Sequence, residues 1–214
     1  MRTRPDARAR RRDPWGDVRG FSLLELLLVV ALLATVGAMA VPAVTNSLDG
    51  MRVGMSAREV ERELQTARLK AVSTNKPIRV RFNCPAADQY RRVELIGTPG
   101  SPNTSDGDGQ AATRCSDTGP YRYPDMNQGV FDVPNHDGPL KRLDPSVTFA
   151  TTRTLEFWPD GTVHANDGSG NPWPVVPDNT PVTITLQKKT GTSAAIAASL
   201  KTIEVNGVGK IQLR

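Results

Sequence analysis

Arg19-Gly20-Phe21-Ser22-Leu23-Leu24-Glu25-Leu26-Leu27-Leu28-Val29-Val30-Ala31-Leu32-Leu33-Ala34-Thr35-Val36-Gly37-Ala38-Met39-Ala40-Val41-Pro42 is the stretch from which the rest of the chain is read. Phe21 to Val41 is 21 residues, almost all apolar, and Glu25 is its only charge. At about 1.5 Å of rise per residue, a helix of that length spans roughly 30 Å, the hydrocarbon thickness of a bilayer. Arginines crowd its N-terminal side and nothing comparable follows Pro42. The positive-inside rule therefore places residues 1–20 in the cytoplasm and everything after Val41 across the membrane.

Glu25 does not suit a plain anchor. A carboxylate in a membrane helix costs on the order of 2.5–3.5 kcal/mol at mid-depth and less near the interface. It either snorkels to the headgroups or meets a partner. Gly20-Phe21-Ser22-Leu23-Leu24-Glu25 ahead of a continuous apolar helix resembles the signal of type IV prepilins and pseudopilins. The resemblance implies that a prepilin peptidase cuts after Gly20 and that Phe21, the new N-terminus, is N-methylated. It also implies that Glu25 pairs with the N-terminal amine of a neighbouring subunit during assembly. A buried carboxylate needs such a cation.

The first twenty residues carry seven arginines against three aspartates, four of the formal net charge of +5. The other 194 residues hold 20 basic and 19 acidic side chains, so the basic character belongs to the leader and argues nothing for nucleic-acid binding.

Beyond Pro42 the pattern stays helical: Val44, Leu48, Met51, Met55, Val60, Leu64, Ala67 and Ala71 recur at spacings of three and four, with one slip of five. Glu59, Glu61, Arg62, Glu63, Arg68 and Lys70 occupy the remaining surface. Pro42 should bend the helix rather than end it, and Asn75 with Pro77 should stop it. The reading divides the chain into a leader (1–20), a transmembrane helix half (21–41), an amphipathic half (42–76) and a β-rich periplasmic domain (77–214).

Strands are expected at 78–82, 92–96, 147–149, 155–158, 162–163, 182–186, 202–205 and 210–213, from alternation and turn residues. Residues 97–145 and 166–179 are rich in Gly, Pro, Asp and Asn and read as long loops, the first with an apolar island at Val130–Val133. A long helix followed by hairpins is α+β, one helix backing an antiparallel sheet. Cys84 and Cys115 are the two cysteines; an oxidising compartment favours one disulfide between them, while spacing alone leaves two free thiols open.

Leu155-Glu156-Phe157-Trp158-Pro159-Asp160-Gly161 and Ile203-Glu204-Val205-Asn206-Gly207 through Gly209-Lys210-Ile211 narrow the resemblance. They are similar to segments of the family comprising minor pseudopilin H of type II secretion (GspH) and the minor pilin FimT. That implies a pilin-like fold and a non-catalytic subunit of a pseudopilus or pilus. Its partners would be other pilin or pseudopilin subunits, the prepilin peptidase and the inner membrane. The alternative is a FimT-like minor pilin that binds extracellular DNA. The family's G-R-x-R motif falls here on Gly209-Lys210-Ile211-Gln212, with Arg214 close by. Arg79, Arg81, Arg91, Arg92, Lys188, Lys189 and Lys201 are available for a basic face.

No phosphate-binding glycine loop or nucleophile elbow is present. His136 and His164 fall in or beside turns and read as solvated. Asp106-Gly107-Asp108-Gly109 misfits a calcium loop, and Asn103-Thr104-Ser105 is a bare sequon. No cofactor or metal is expected. One competitor concerns processing: Ala38-Met39-Ala40 is an ordinary signal-peptidase site, and cutting there would free a soluble chain beginning at Val41. The length of the apolar run and the charge at Glu25 argue against it.

Overall fold

The structure is a computed structural model that describes residues 20–95, 115, 123–124, 137–166 and 173–214. Helix α1 runs Leu23–Thr74, 52 residues, continuous through Pro42. It ends where Asn75 enters the left-handed region at φ 55° just before Lys76-Pro77, a stop that asparagine tolerates. The chain forms two compact units, residues 1–44 and 45–214, and the helix contributes to both. In the first unit the apolar window Leu23–Val41 exposes its side chains throughout.

In the second unit α1 buries Val53, Ala57, Val60, Leu64, Ala67 and Ala71, spaced alternately four and three residues apart. The expected stripe is right from Val60 onward and wrong before it. Leu48, Met51 and Met55 are 48, 62 and 63% exposed, and Val44 is exposed as well. The slip of five between Met55 and Val60 joined two different faces. Counting back from Val60 by three and four gives Ala57 and Val53, and the nearby Ser56 is also buried. Half of the six are alanines, so side-chain size concealed the buried face. Glu63, expected on the surface, is buried too and pairs with Arg92 and, at 3.1 Å, with Lys141 Nζ.

Among the described residues nine strands follow, in two antiparallel sheets rather than the single one expected. They are β1 (Ile78–Phe82), β2 (Gln89–Glu94), β3 (Lys141–Arg142), β4 (Val147–Thr151), β5 (Leu155–Phe157), β6 (Val163–Ala165), β7 (Val182–Lys188), β8 (Lys201–Val205) and β9 (Ile211–Leu213). One sheet has the order β3-β2-β1-β5-β6, the other β4-β7-β8-β9. Ile78, Val80, Phe82, Leu155 and Phe157 of the first and Val182, Ile184, Leu186, Ile203 and Val205 of the second share one core with α1. A short helix α2 (Ser193–Ala198), not foreseen, is capped by Thr192, whose Oγ1 accepts the Ala195 N–H at 3.3 Å.

The sheets are stitched at Gly207. Its carbonyl accepts the Val163 N–H of β6 at 2.8 Å, and the Val163 carbonyl accepts the Val176 N–H at 2.8 Å. A β-carbon at Gly207 would run into the Val176 carbonyl oxygen, so only glycine fits this close approach. Cys84 and Cys115 form a disulfide with Cα atoms 5.4 Å apart, as the oxidising-compartment reading expects. It ties the β1–β2 turn to the long polar segment. Val130–Val133, Asn103–Ser105, Asp106–Gly109 and His136 lie outside the described residues.

Candidate functional site

At the start of α1 the Ser22 carbonyl accepts the N–H groups of Glu25 and Leu26, at 3.0 and 3.1 Å, and so opens the helix. Gly20 and Phe21 precede that turn and are exposed, Phe21 by 82%. Glu25 is exposed in the first turn, where unsatisfied helix amides favour a negative charge. Gly20, Phe21 and Glu25 thus stand together on one helix entrance, with a membrane-length apolar surface beyond it. In the second unit, Leu48, Met51, Met55, Leu69 and Val72 leave apolar surface on α1 uncovered by the described residues.

The basic face required for the DNA alternative is not assembled. Arg79, Arg81 and Arg91 are buried on the side of β1 and β2 away from the helix, because alternation there points into a second covered layer rather than into solvent. Arg79 pairs with Glu156, and Arg91 donates from Nε to the Gly138 carbonyl at 2.7 Å. Arg92 is held by Glu63, Lys188 by Asp49 at 2.5 Å, and Lys189 by Asp88 at 2.8 Å. Lys210 and Arg214 do lie together, beside β9, in a shallow polar groove with Asp178, Glu204 and Gln212. Arg214 Nε is 3.0 Å from Glu204 Oε2. The Lys210 N–H donates to Asn206 Oδ1 at 2.7 Å, which sets the turn.

His164 is not the solvated turn residue expected. Its ring stacks on Trp158 with centroids 4.5 Å apart, and its Nδ1 lies 2.6 Å from the Trp173 carbonyl oxygen. The alternation of Val163-His164-Ala165 could have revealed this, had the strand been extended past Val163. Among the described residues no group of three or more His, Cys, Asp or Glu could hold a metal ion.

Residues 16–41 match the family model of the prokaryotic N-terminal methylation motif. The chain carries that motif. Over 81 residues it is 38% identical to type II secretion system protein H of Xanthomonas campestris pv. campestris, an alignment covering 38% of this chain and 46% of that protein. The chain therefore spans about half the length of the curated relative it matches. Among solved structures it is similar to the minor pseudopilin EpsH from the type 2 secretion system of Vibrio cholerae. That match has 12% identity, covers 76% of this chain and 96% of that one, and has a TM-score of 0.42. It is also similar to the type IV minor pilin FimU of Pseudomonas aeruginosa, at 16% identity, 75 and 91% coverage, and a TM-score of 0.39.

Proposed function

We infer that this chain is a minor pilin-type subunit, non-catalytic, that enters a type II secretion pseudopilus or a type IV pilus. Its leader stays cytoplasmic, residues 21–41 cross the inner membrane, and the domain from residue 42 stands in the periplasm. A prepilin peptidase cuts between Gly20 and Phe21, and Phe21 is methylated. The observation that carries this reading is the placement of Gly20, Phe21 and Glu25 at the mouth of a helix whose apolar window is exposed from Leu23 to Val41. Cleavage leaves an amine four residues from Glu25, and assembly gives that carboxylate a neighbouring subunit's amine to meet.

The mass of the membrane-extracted full chain tests the processing step. A mature form starting at methylated Phe21 is expected; a soluble form starting at Val41 would overturn the reading. Glu25→Ala is expected to stay in the membrane and drop out of sheared filaments. Wild-type incorporation of that variant would remove the pairing.

A further inference from the structure

We propose that the outer edge of β9 receives an extended strand from a different pilin-like subunit, by main-chain pairing, with acidic residues set against Lys210 and Arg214. The proposal rests on the filament-subunit reading above and names the contact it would use. Hydrogen-bond parity identifies the edge. Thr202 and Arg214 exchange both N–H···O bonds, at 3.1 and 2.7 Å, and the Asn206 N–H donates to the Lys210 carbonyl at 3.2 Å. Residues 210, 212 and 214 thus turn their backbone groups toward β8, and Ile211 and Leu213 turn theirs outward. Among the described residues nothing accepts or donates to those four outward groups.

The other edges are occupied to different degrees, and on β4 the outward Val147 N–H is taken by the Asp144 carbonyl at 2.9 Å. On β4 the Phe149 N–H donates to the Asp88 carboxylate at 3.3 Å. On β6 the Val163 N–H goes to Gly207, the Val163 carbonyl to Val176, and the Ala165 N–H to the Pro174 carbonyl at 3.2 Å. β3 is only two residues long. Among the described residues β9 alone keeps both outward donors and outward acceptors unengaged, which is what an added strand needs.

Charge selects the occupant. In the antiparallel register that uses all four outward groups, a second copy of β9 would set Ile211 opposite Leu213 and Lys210 directly opposite Arg214 at both ends. Like charges opposed across a ladder are destabilising, so self-pairing is disfavoured. The fitting strand is heterologous: apolar opposite Ile211 and Leu213, acidic opposite exposed Lys210 and opposite Arg214, whose guanidinium already leans on Glu204.

The test uses the full chain in its native membranes, with a photo-crosslinking amino acid at Gln212, whose side chain lines the groove. The expected adduct maps by mass spectrometry to a sheet-edge strand of another N-methylated subunit. Lys210→Glu, which leaves the backbone unchanged, should reduce it roughly fivefold or more, and so should Leu213→Pro, which removes an outward donor along with a side chain that packs on the core. Formation of the Cys84–Cys115 bridge reports that each variant folds. An adduct to a second copy, to residues 96–136 of the same chain or to nucleic acid, no adduct, or one that persists in both variants overturns the proposal. A chain still cut after Gly20 and present in filaments but silent at 212 overturns the edge contact alone; an uncut chain overturns the subunit reading.

Discussion

Arg79 and Glu156 face each other in register across β1 and β5, and neither side chain touches solvent. Arg79 Nε donates to Glu156 Oε1 at 2.9 Å, and the Trp158 indole donates to Oε2 at 3.4 Å. The guanidinium lies 4.2 Å from the ring centre of Trp173. Desolvation of both charges is offset by the direct pairing, the indole hydrogen bond and the aromatic face.

Glu156→Ala leaves the arginine in a dry site without its opposing carboxylate. The expected loss is about 3–5 kcal/mol, against a smaller loss for the double replacement Arg79→Met with Glu156→Leu. Denaturant unfolding of the detergent-solubilised chain, followed by tryptophan fluorescence, measures both. A double variant as damaged as the single would show that the charges are not coupled.

The disulfide spans 31 residues of sequence, worth about 3–4 kcal/mol in the chain-entropy model. Thiol labelling of the denatured protein without reductant should find no free cysteine. Cys115→Ser should lower the unfolding midpoint.

Gly207 and Gly161 separate two kinds of glycine requirement. Gly161 sits at φ 87° with open space around it, so Gly161→Ala should cost about 1 kcal/mol of backbone strain. Gly207→Ala drives a methyl group into the Val176 carbonyl at the junction of the sheets, and should cost about 1–3 kcal/mol or more. Equal thermal shifts for the two variants would argue against the stitched junction.

Acid should loosen the domain through aspartates held below their ordinary value of 3.8. Burial pushes Asp88 up, but Lys189, the Thr148 hydroxyl and the Phe149 N–H together outweigh it. The Ser146 hydroxyl and N–H lower Asp144, and those of Thr162 lower Asp160. Since the folded values lie below the unfolded ones, this stability is complete above about pH 4–5 and is lost as pH falls through the folded values. Asp88→Asn keeps the left-handed backbone at φ 63° and should flatten part of that acid limb in pH-dependent melts.

Sequence alone determined the parts of this protein whose signal is local. Membrane length is a count of consecutive apolar residues, and Gly20, Phe21 and Glu25 are read by their order. The helix stop at Asn75-Lys76-Pro77 and the strands at 78–82, 147–149 and 182–186 are legible because turn chemistry and alternation act over a few residues. Tertiary structure decided which faces are covered. Met51 and Met55 outweigh Ala57 in any hydrophobic pattern, yet the alanine is buried and the methionines are exposed. Arg79, Arg81 and Arg91 looked like a solvated face and became interior, since burial depends on what lies over a sheet, and residues distant in sequence supply that layer. The edge of β9, unpaired among the described residues, is likewise invisible in its own three residues: an edge exists only once the other strands have chosen their neighbours.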